Sequence, residues 1–387
     1  MNHRIAARIA LFAVAWTAAA AVTGATPAQM QAILQEGSGG PEVLHLRSIA
    51  VPEPAAGQVL IRVYAASVNP IDWKMRSGYR PAVPPPAGNA PGAGAGAPPP
   101  GGSGAAPSGP AAGAPPGDGA APAARIPGMD VAGVIERVGP GVTQFKPGDA
   151  VFSMIGRGIA GLNGAYAQYT LAPLDNVVAK PKNLSYAEAA GLGTTGMTAA
   201  RILGRVGLAS GQRLLVTGVA GGVGSAVAQI ARARGAHVIG TASARHARYL
   251  ESIGVEEVVD YTQGPFEERV KDVDVVIDTV GGETAARALK TLRRDGSFGT
   301  VAGRVDPALC AAAGVNCAAG GPPGSGEPSE GELLRQVAEL AAAGRFRVHV
   351  DRTFPLARAA DAQEYNRAGH TEGKVILVVD AQQATRR

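Results

Sequence analysis

The chain of 387 residues is short of cysteine, aromatic side chains and charge, with 2 Cys, 4% Phe, Trp and Tyr, and 17% Asp, Glu, Lys and Arg. Its two cysteines, Cys310 and Cys317, have no second pair and no neighbouring histidine, which excludes a zinc ribbon or finger. They lie in a Gly/Ala-rich segment and are read as free thiols, because a disulfide across so small a loop makes sense only after export. The formal charge of +5 is scattered among acids, with no basic stripe interleaved with aromatics, so no nucleic-acid partner is expected. At 46% apolar residues the chain is too hydrophobic to be wholly disordered, and its length suits two domains.

One apolar stretch, Ile9 to Ala25, approaches the length of a membrane span. It follows Arg4 and Arg8 and ends in the small residues Gly24 and Ala25, which is the pattern of a secretory leader. Residues 1–29 are therefore read as a signal-peptide-like leader cleaved near Ala25, which leaves a periplasmic or secreted protein with no stable membrane span. Arg4 and Arg8 are separated, so this is not a twin-arginine signal. The opposing reading starts translation at Met30 and keeps the protein cytoplasmic.

Glycine and proline are abundant, at 54 and 29 residues. Between Pro81 and Arg125, 13 Pro, 11 Gly and 15 Ala occupy 39 of 45 positions. With Val83 as its one aliphatic side chain larger than Ala, this run cannot offset an ordering entropy of ~1–2 kcal/mol per residue. It is expected to be a disordered insertion. Its Pro84–Pro86 and Pro98–Pro100 runs favour the extended conformation that proline-recognising partners dock on.

From Met30 to about Asn183 the pattern is β-rich, with QVLIRVYAA, GVIERV, DAVFSMI and GAYAQYTL separated by Gly and Pro. Strand and helix then alternate to about Gly320: strands at 213–217, 237–242, 273–280 and 296–302 frame helices such as GVGSAVAQIARARG and ETAARALKTL. This alternation predicts a Rossmann-type doubly wound parallel α/β sheet over 184–320. A Gly/Pro-rich patch at Gly320–Ser329 precedes helix EGELLRQVAELAAAG and strands RFRVHV and GKVILVV, so 321–387 is read as a return to the first domain.

At the first βα junction stands VTGVAGGVGSAVAQIA. Gly218 follows the strand, Gly221 and Gly222 leave room for a phosphate against backbone N–H groups, and Gly224 lets the helix pack closely, with Val223 between them. A GxxGxxG string alone is weak evidence, but this one sits between an apolar strand and an amphipathic helix. The second strand ends in Thr241, Ala242 and Ser243, followed by Arg245, His246 and Arg248, where NAD-binding sheets place a carboxylate. A hydroxyl and guanidinium groups suit a 2′-phosphate, so the cofactor expected is NADPH, with Ser243, Arg245 and Arg248 as contacts. The alternative is that these arginines only solvate a helix face.

The loop also fits the TGxxxGxG pattern of short-chain dehydrogenases. Those enzymes need Tyr-x-x-x-Lys, and none of the eight tyrosines here has Lys four residues on. The chain instead resembles the zinc-free, quinone oxidoreductase-like and enoyl reductase-like branch of the medium-chain dehydrogenase/reductases. The resemblance rests on MQAILQEGSGGPEVL at Met30, AASVNPIDWKMRSG, IPGMDVAGVIERVGPGVTQFKPGDAVF, VAGGVG, VVIDTVGG and HTEGKVILVV. It implies a GroES-like catalytic domain over 30–183, with cofactor and substrate meeting in the cleft between domains.

By the same resemblance, the nicotinamide lies over Val280 and Gly281, Thr198 lines the cleft, and Tyr261 is near the adenine ribose. Asn69 is the leading catalytic candidate and Asp72 the second. Each also suits a plain Asx turn at SVNP, and Asp130 is as readily structural as functional. Zinc relatives carry Cys, His and Cys where this chain has Asn69, Met129 and a position near Gly191, so no metal is expected. The function implied is hydride transfer from NADPH to a small quinone or enone, with water as the proton source. The rival reading is a non-catalytic NADPH-binding protein that uses the proline-rich insertion for interaction. A homodimer is an assembly left open.

Overall fold

The computed structural model describes residues 26–79, 124–155, 162–303, 306–320, 324–369 and 371–387. The leader through Ala25 and the insertion from Pro81 to Ala123 lie outside the described residues. The insertion's far boundary does not extend to Arg125, whose N–H and C=O bridge Gln35.

Strands β1 (Gln29–Gln35) and β2 (Leu44–Ala50) pair antiparallel ahead of β3 (Gln58–Val68). Proline at the first position of α1 (Pro70–Arg76) starts a helix directly off β3, because proline's fixed φ suits that place and the N–H it lacks has no helical partner. β4 (Asp130–Val138), β5 (Ala150–Met154), β6 (Tyr169–Pro173) and β7 (Val177–Ala179) complete the β-rich part. β3 is almost wholly buried because β4 and β6 both pair with it, each antiparallel.

The helices α2 (Tyr186–Ala190) and α3 (Gly193–Arg205) lead into the alternating region. It runs β8 (Arg213–Thr217), α4 (Gly222–Ala233), β9 (His237–Ala242), α5 (Ala247–Ser252), β10 (Glu257–Asp260) and α6 (Phe266–Arg269). It continues with β11 (Val273–Asp278), α7 (Gly282–Leu289), β12 (Leu292–Thr300), α8 (Pro307–Ala313) and β13 (Asn316–Ala319). The six strands are parallel in the order β10-β9-β8-β11-β12-β13, so the winding reverses between β8 and β11. A crevice opens at the carboxyl ends of the strands at such a reversal. The doubly wound sheet is thus present, with fully buried runs such as Leu214–Val216 and Val275–Ile277 in its central strands.

The chain ends with α9 (Glu330–Ala342), β14 (Val350–Pro355), α10 (Ala359–Arg367) and β15 (Lys374–Val378). β15 pairs antiparallel with β3, and the other sheet reads β14-β15-β3-β4-β5-β7 with β6 on β3. No helix among the described residues is long and apolar enough to cross a membrane.

Three expectations are corrected. Cys310 and Cys317 are not free thiols but a disulfide with Cα atoms 6.1 Å apart. Gly314, in the left-handed conformation, turns the chain back between α8 and β13 and brings the two together. The strand expected over 345–350 begins only at Val350. The Gln229 side chain donates to Arg347 O at 3.0 Å and accepts from Arg347 N at 2.9 Å, taking the place of a strand partner there. The strand expected to reach 280 stops at Asp278, whose own side chain turns the chain, as described below.

Candidate functional site

The glycine-rich loop lies at the carboxyl end of β8, beside the reversal in strand order. Gly218 has φ +63°, a left-handed conformation that glycine adopts without strain. A Cβ at Gly224 would lie 2.3 Å from Gly218 O, so only glycine lets α4 start this close to the strand. The first-turn N–H groups of α4 have no partner within the helix and carry the positive end of its dipole. Gly221 and Gly222 are half-buried, and Val223 packs on the core with one side.

β15 approaches this loop from the other sheet. Gly373 N donates to Ala220 O at 2.8 Å, and Gly373 bridges Gly221 in parallel register. A Cβ at Gly222 would come within 2.7 Å of Lys374 Cδ, so the lysine chain runs along the loop itself. Lys374 Nζ then reaches Asn69 Oδ1 at 2.6 Å and Val68 O at 3.2 Å.

Asn69, just ahead of α1, presents its amide with a defined orientation, since Nδ2 donates to Asp130 Oδ2 at 2.9 Å while Oδ1 faces the ammonium. That is more than the plain turn that SVNP allows. The other oxygen of Asp130 accepts from Thr194 N at 2.8 Å and Thr194 Oγ1 at 2.7 Å, at the start of α3. Thr198 lies one turn further along α3 on the same face and is half-buried.

Asp72 behaves as the turn reading predicts, its Oδ2 accepting from Asn69 N at 2.9 Å, but it also accepts from Tyr166 Oη at 2.8 Å. Burial pushes its carboxyl up from 3.8 to about 6, against the pull of the Asn69 N–H and the Tyr166 hydroxyl. Burial, then the Asp72 charge, holds the Tyr166 phenol well above its ordinary value. Burial also lowers Lys374, with Asp130 and Asp72 opposing.

At the opposite end of the loop, Ser243 follows β9 with a buried Oγ that has no hydrogen-bond partner, and Arg245 and Arg248 are exposed beyond it. Tyr261, 47% exposed, follows β10 directly alongside, because Asp260 pairs with Ala242. Val280 and Gly281 form the turn after β11. Asp278 shapes this turn by accepting from Gly281 N at 2.9 Å and Val280 N at 3.3 Å, while Thr217 and Thr300 of the adjacent strands donate to it at 2.6 and 2.9 Å. Apart from Thr198 on α3, the expected cofactor contacts therefore lie along the carboxyl ends of the parallel strands, and the Asn69–Lys374 pair faces the loop from across the crevice.

Sequence reasoning missed Lys374 and Tyr166. The available signal was one ammonium at the head of the apolar strand KVILV, and Tyr166 in GAYAQY gave none.

A dinucleotide fits this edge, given a loop that Cβ atoms would obstruct and the orphaned Ser243 hydroxyl. Zinc does not fit. Asn69 Oδ1 is already occupied by an ammonium, Met129 and Gly191 offer no strong donor, and a Cβ at Gly191 would sit 2.5 Å from Val348 Cγ1. Among the described residues no group of three or more His, Cys, Asp or Glu is placed to hold a metal ion.

A family model described as alcohol dehydrogenase GroES-like domain matches residues 111–182, and one described as zinc-binding dehydrogenase matches 253–377. An NADPH-dependent alkenal/one oxidoreductase, chloroplastic, of Arabidopsis thaliana is 31% identical over 361 residues, covering 91% of this chain and 80% of the relative. A 2-methylene-furan-3-one reductase of Solanum lycopersicum is 32% identical over 374 residues, covering 93% and 82%. The solved structure of a quinone oxidoreductase from Coxiella burnetii superimposes with a TM-score of 0.71 at 27% identity, covering 91% of this chain and all of that one.

The raised Asp72 carboxyl has a consequence for stability. Its ionised form disfavours folding, and this cost is absent below its unfolded value near 3.8 and complete above about 6. Wild type should therefore lose about 3 kcal/mol relative to Asp72→Asn as pH rises through that window. Denaturant titrations of both proteins at each end of the window check this, and a pH-independent difference would contradict it.

Proposed function

The chain belongs to the quinone oxidoreductase-like branch of the medium-chain dehydrogenase/reductase family, and from that membership we propose that it reduces a quinone or an α,β-unsaturated carbonyl with NADPH, without a metal. The observation that carries this reading is the placement of the glycine loop against Asn69 and Lys374, which puts a dinucleotide site and a charged polar pair in one crevice.

When bound, NADPH supplies a hydride from its nicotinamide ring. The loop Gly218–Gly224 receives the pyrophosphate through backbone N–H groups and the α4 dipole. Ser243, Arg245 and Arg248 take the 2′-phosphate, Tyr261 borders the adenine ribose, and Val280 and Gly281 form the platform under the nicotinamide, with Thr198 at the cleft wall. Asn69 and Lys374 act on the acceptor. Two of the three Lys374 N–H groups are taken by Val68 and Asn69 among the described residues. In its ammonium form Lys374 favours the negative charge that develops on the acceptor oxygen, most strongly in a buried setting. Asp130 keeps the Asn69 amide from flipping, and Asp72 and Tyr166 brace its backbone. The proton comes from solvent.

Mixing the protein anaerobically with NADPH and a panel of small quinones and enones should oxidise the cofactor, at a rate unchanged by prior EDTA treatment. Tight NADPH binding without oxidation by any acceptor would instead favour the non-catalytic reading.

We also propose that the protein acts outside the cytoplasm. The Cys310–Cys317 disulfide supports this reading, because such a bond persists in oxidising compartments. The native protein should begin just after Ala25, with both cysteines resistant to alkylation until reduced. A start at Met30 with two reactive thiols would refute export.

A further inference from the structure

We propose that Glu372 and His246 form a clamp that aims Arg245, so that preference for the 2′-phosphorylated cofactor depends on a residue from the segment that leads into β15. This rests on the reading of Arg245 as a 2′-phosphate contact. Glu372 lies outside the glycine loop and outside the β9 terminus, where cofactor preference is usually decided.

Arg245 Nε donates to His246 Nε2 at 2.9 Å. A guanidinium cannot accept a hydrogen bond, so His246 Nε2 must be the lone-pair nitrogen and the ring proton must be on Nδ1. That nitrogen lies 2.7 Å from Glu372 Oε2, and the carboxylate selects this tautomer by accepting from it. His246 is buried, so the ring has little freedom to turn. The other Glu372 oxygen faces His349 Nε2 at 3.3 Å, and the His349 ring lies against Tyr249 with centroids 4.8 Å apart. Glu372 is thus held on both sides, and the next residue, Gly373, is tied to the glycine loop.

The chain of contacts Glu372–His246–Arg245 fixes the plane of an otherwise exposed guanidinium. An arginine restrained in this way loses less side-chain freedom when its fork closes on a phosphate. A cofactor without the 2′-phosphate gains nothing from it. If the clamp only joined the two sheets, breaking it would weaken both cofactor types equally.

The test uses full-length protein and isothermal titration with 2′,5′-ADP and 5′-AMP, which report binding apart from turnover. Glu372→Ala and His246→Phe should each weaken 2′,5′-ADP about 10-fold, the scale of one hydrogen bond to a charged group, and leave 5′-AMP within about 2-fold. Combining Glu372→Ala with Arg245→Ala should add little to Arg245→Ala alone. Equal weakening of both ligands in Glu372→Ala and His246→Phe, or no change in either, would overturn the clamp. Should Glu372→Ala fail to fold, His246→Phe decides alone. If Arg245→Ala itself leaves the ratio of the two affinities unchanged, the 2′-phosphate reading fails. If Arg245→Ala shifts the ratio and the other two do not, only the clamp fails.

Discussion

The hydrogen bond from Gly373 N to Ala220 O joins the two sheets, which also share a hydrophobic core that takes in Tyr64, Phe152 and Met154 as well as Leu214, Val216 and Ile277. It fixes the start of β15 against the glycine loop. The residues on either side of Gly373 then point to opposite ends of the crevice: Glu372 to His246 and Arg245, Lys374 to Asn69. A substituent at Gly373 would clash with His349 O at 2.3 Å, and its φ of +77° is a conformation that side chains rarely adopt. Three consecutive residues therefore reach His246, the glycine loop and Asn69 in turn.

A second constraint works from within the parallel sheet. Asp278, fully buried, gathers the carboxyl ends of β8, β11 and β12 through Thr217, its own turn and Thr300. Carboxylates buried at this depth persist when every oxygen is hydrogen-bonded. Here the bonds are made to the turn that carries Val280 and Gly281, so the polar satisfaction of the sheet end and the shape of that turn are one arrangement. Asp130 plays the same part on the other side, with Asn69 on one oxygen and the start of α3 on the other.

What could be read from sequence was local. The glycine loop, the parallel strands at 213–217 and 237–242 and the stretch from Ser243 to Arg248 lie within short windows where periodicity and turn chemistry act, and the structure has these elements there. The contacts that complete the site are not local. Lys374 meets Asn69 across 305 positions, and Tyr166 meets Asp72 across 94. Neither pair has a spacing rule. The strand misread at 345–350 has the same cause: its alternation is real, with Phe346 and Val348 buried, but the Gln229 side chain occupies the backbone groups of Arg347. The cysteines were misread because loop length alone does not reveal the left-handed turn at Gly314 that brings them together.

The central claim is that this crevice delivers hydride directly to carbon, with the protein supplying orientation and charge and no metal. The most direct measurement is anaerobic turnover of a simple enone with NADPH deuterated at the transferred position of the nicotinamide. The account predicts one deuterium at the β-carbon of the product, with the α-proton drawn from solvent. A product formed without deuterium at the β-carbon would contradict it.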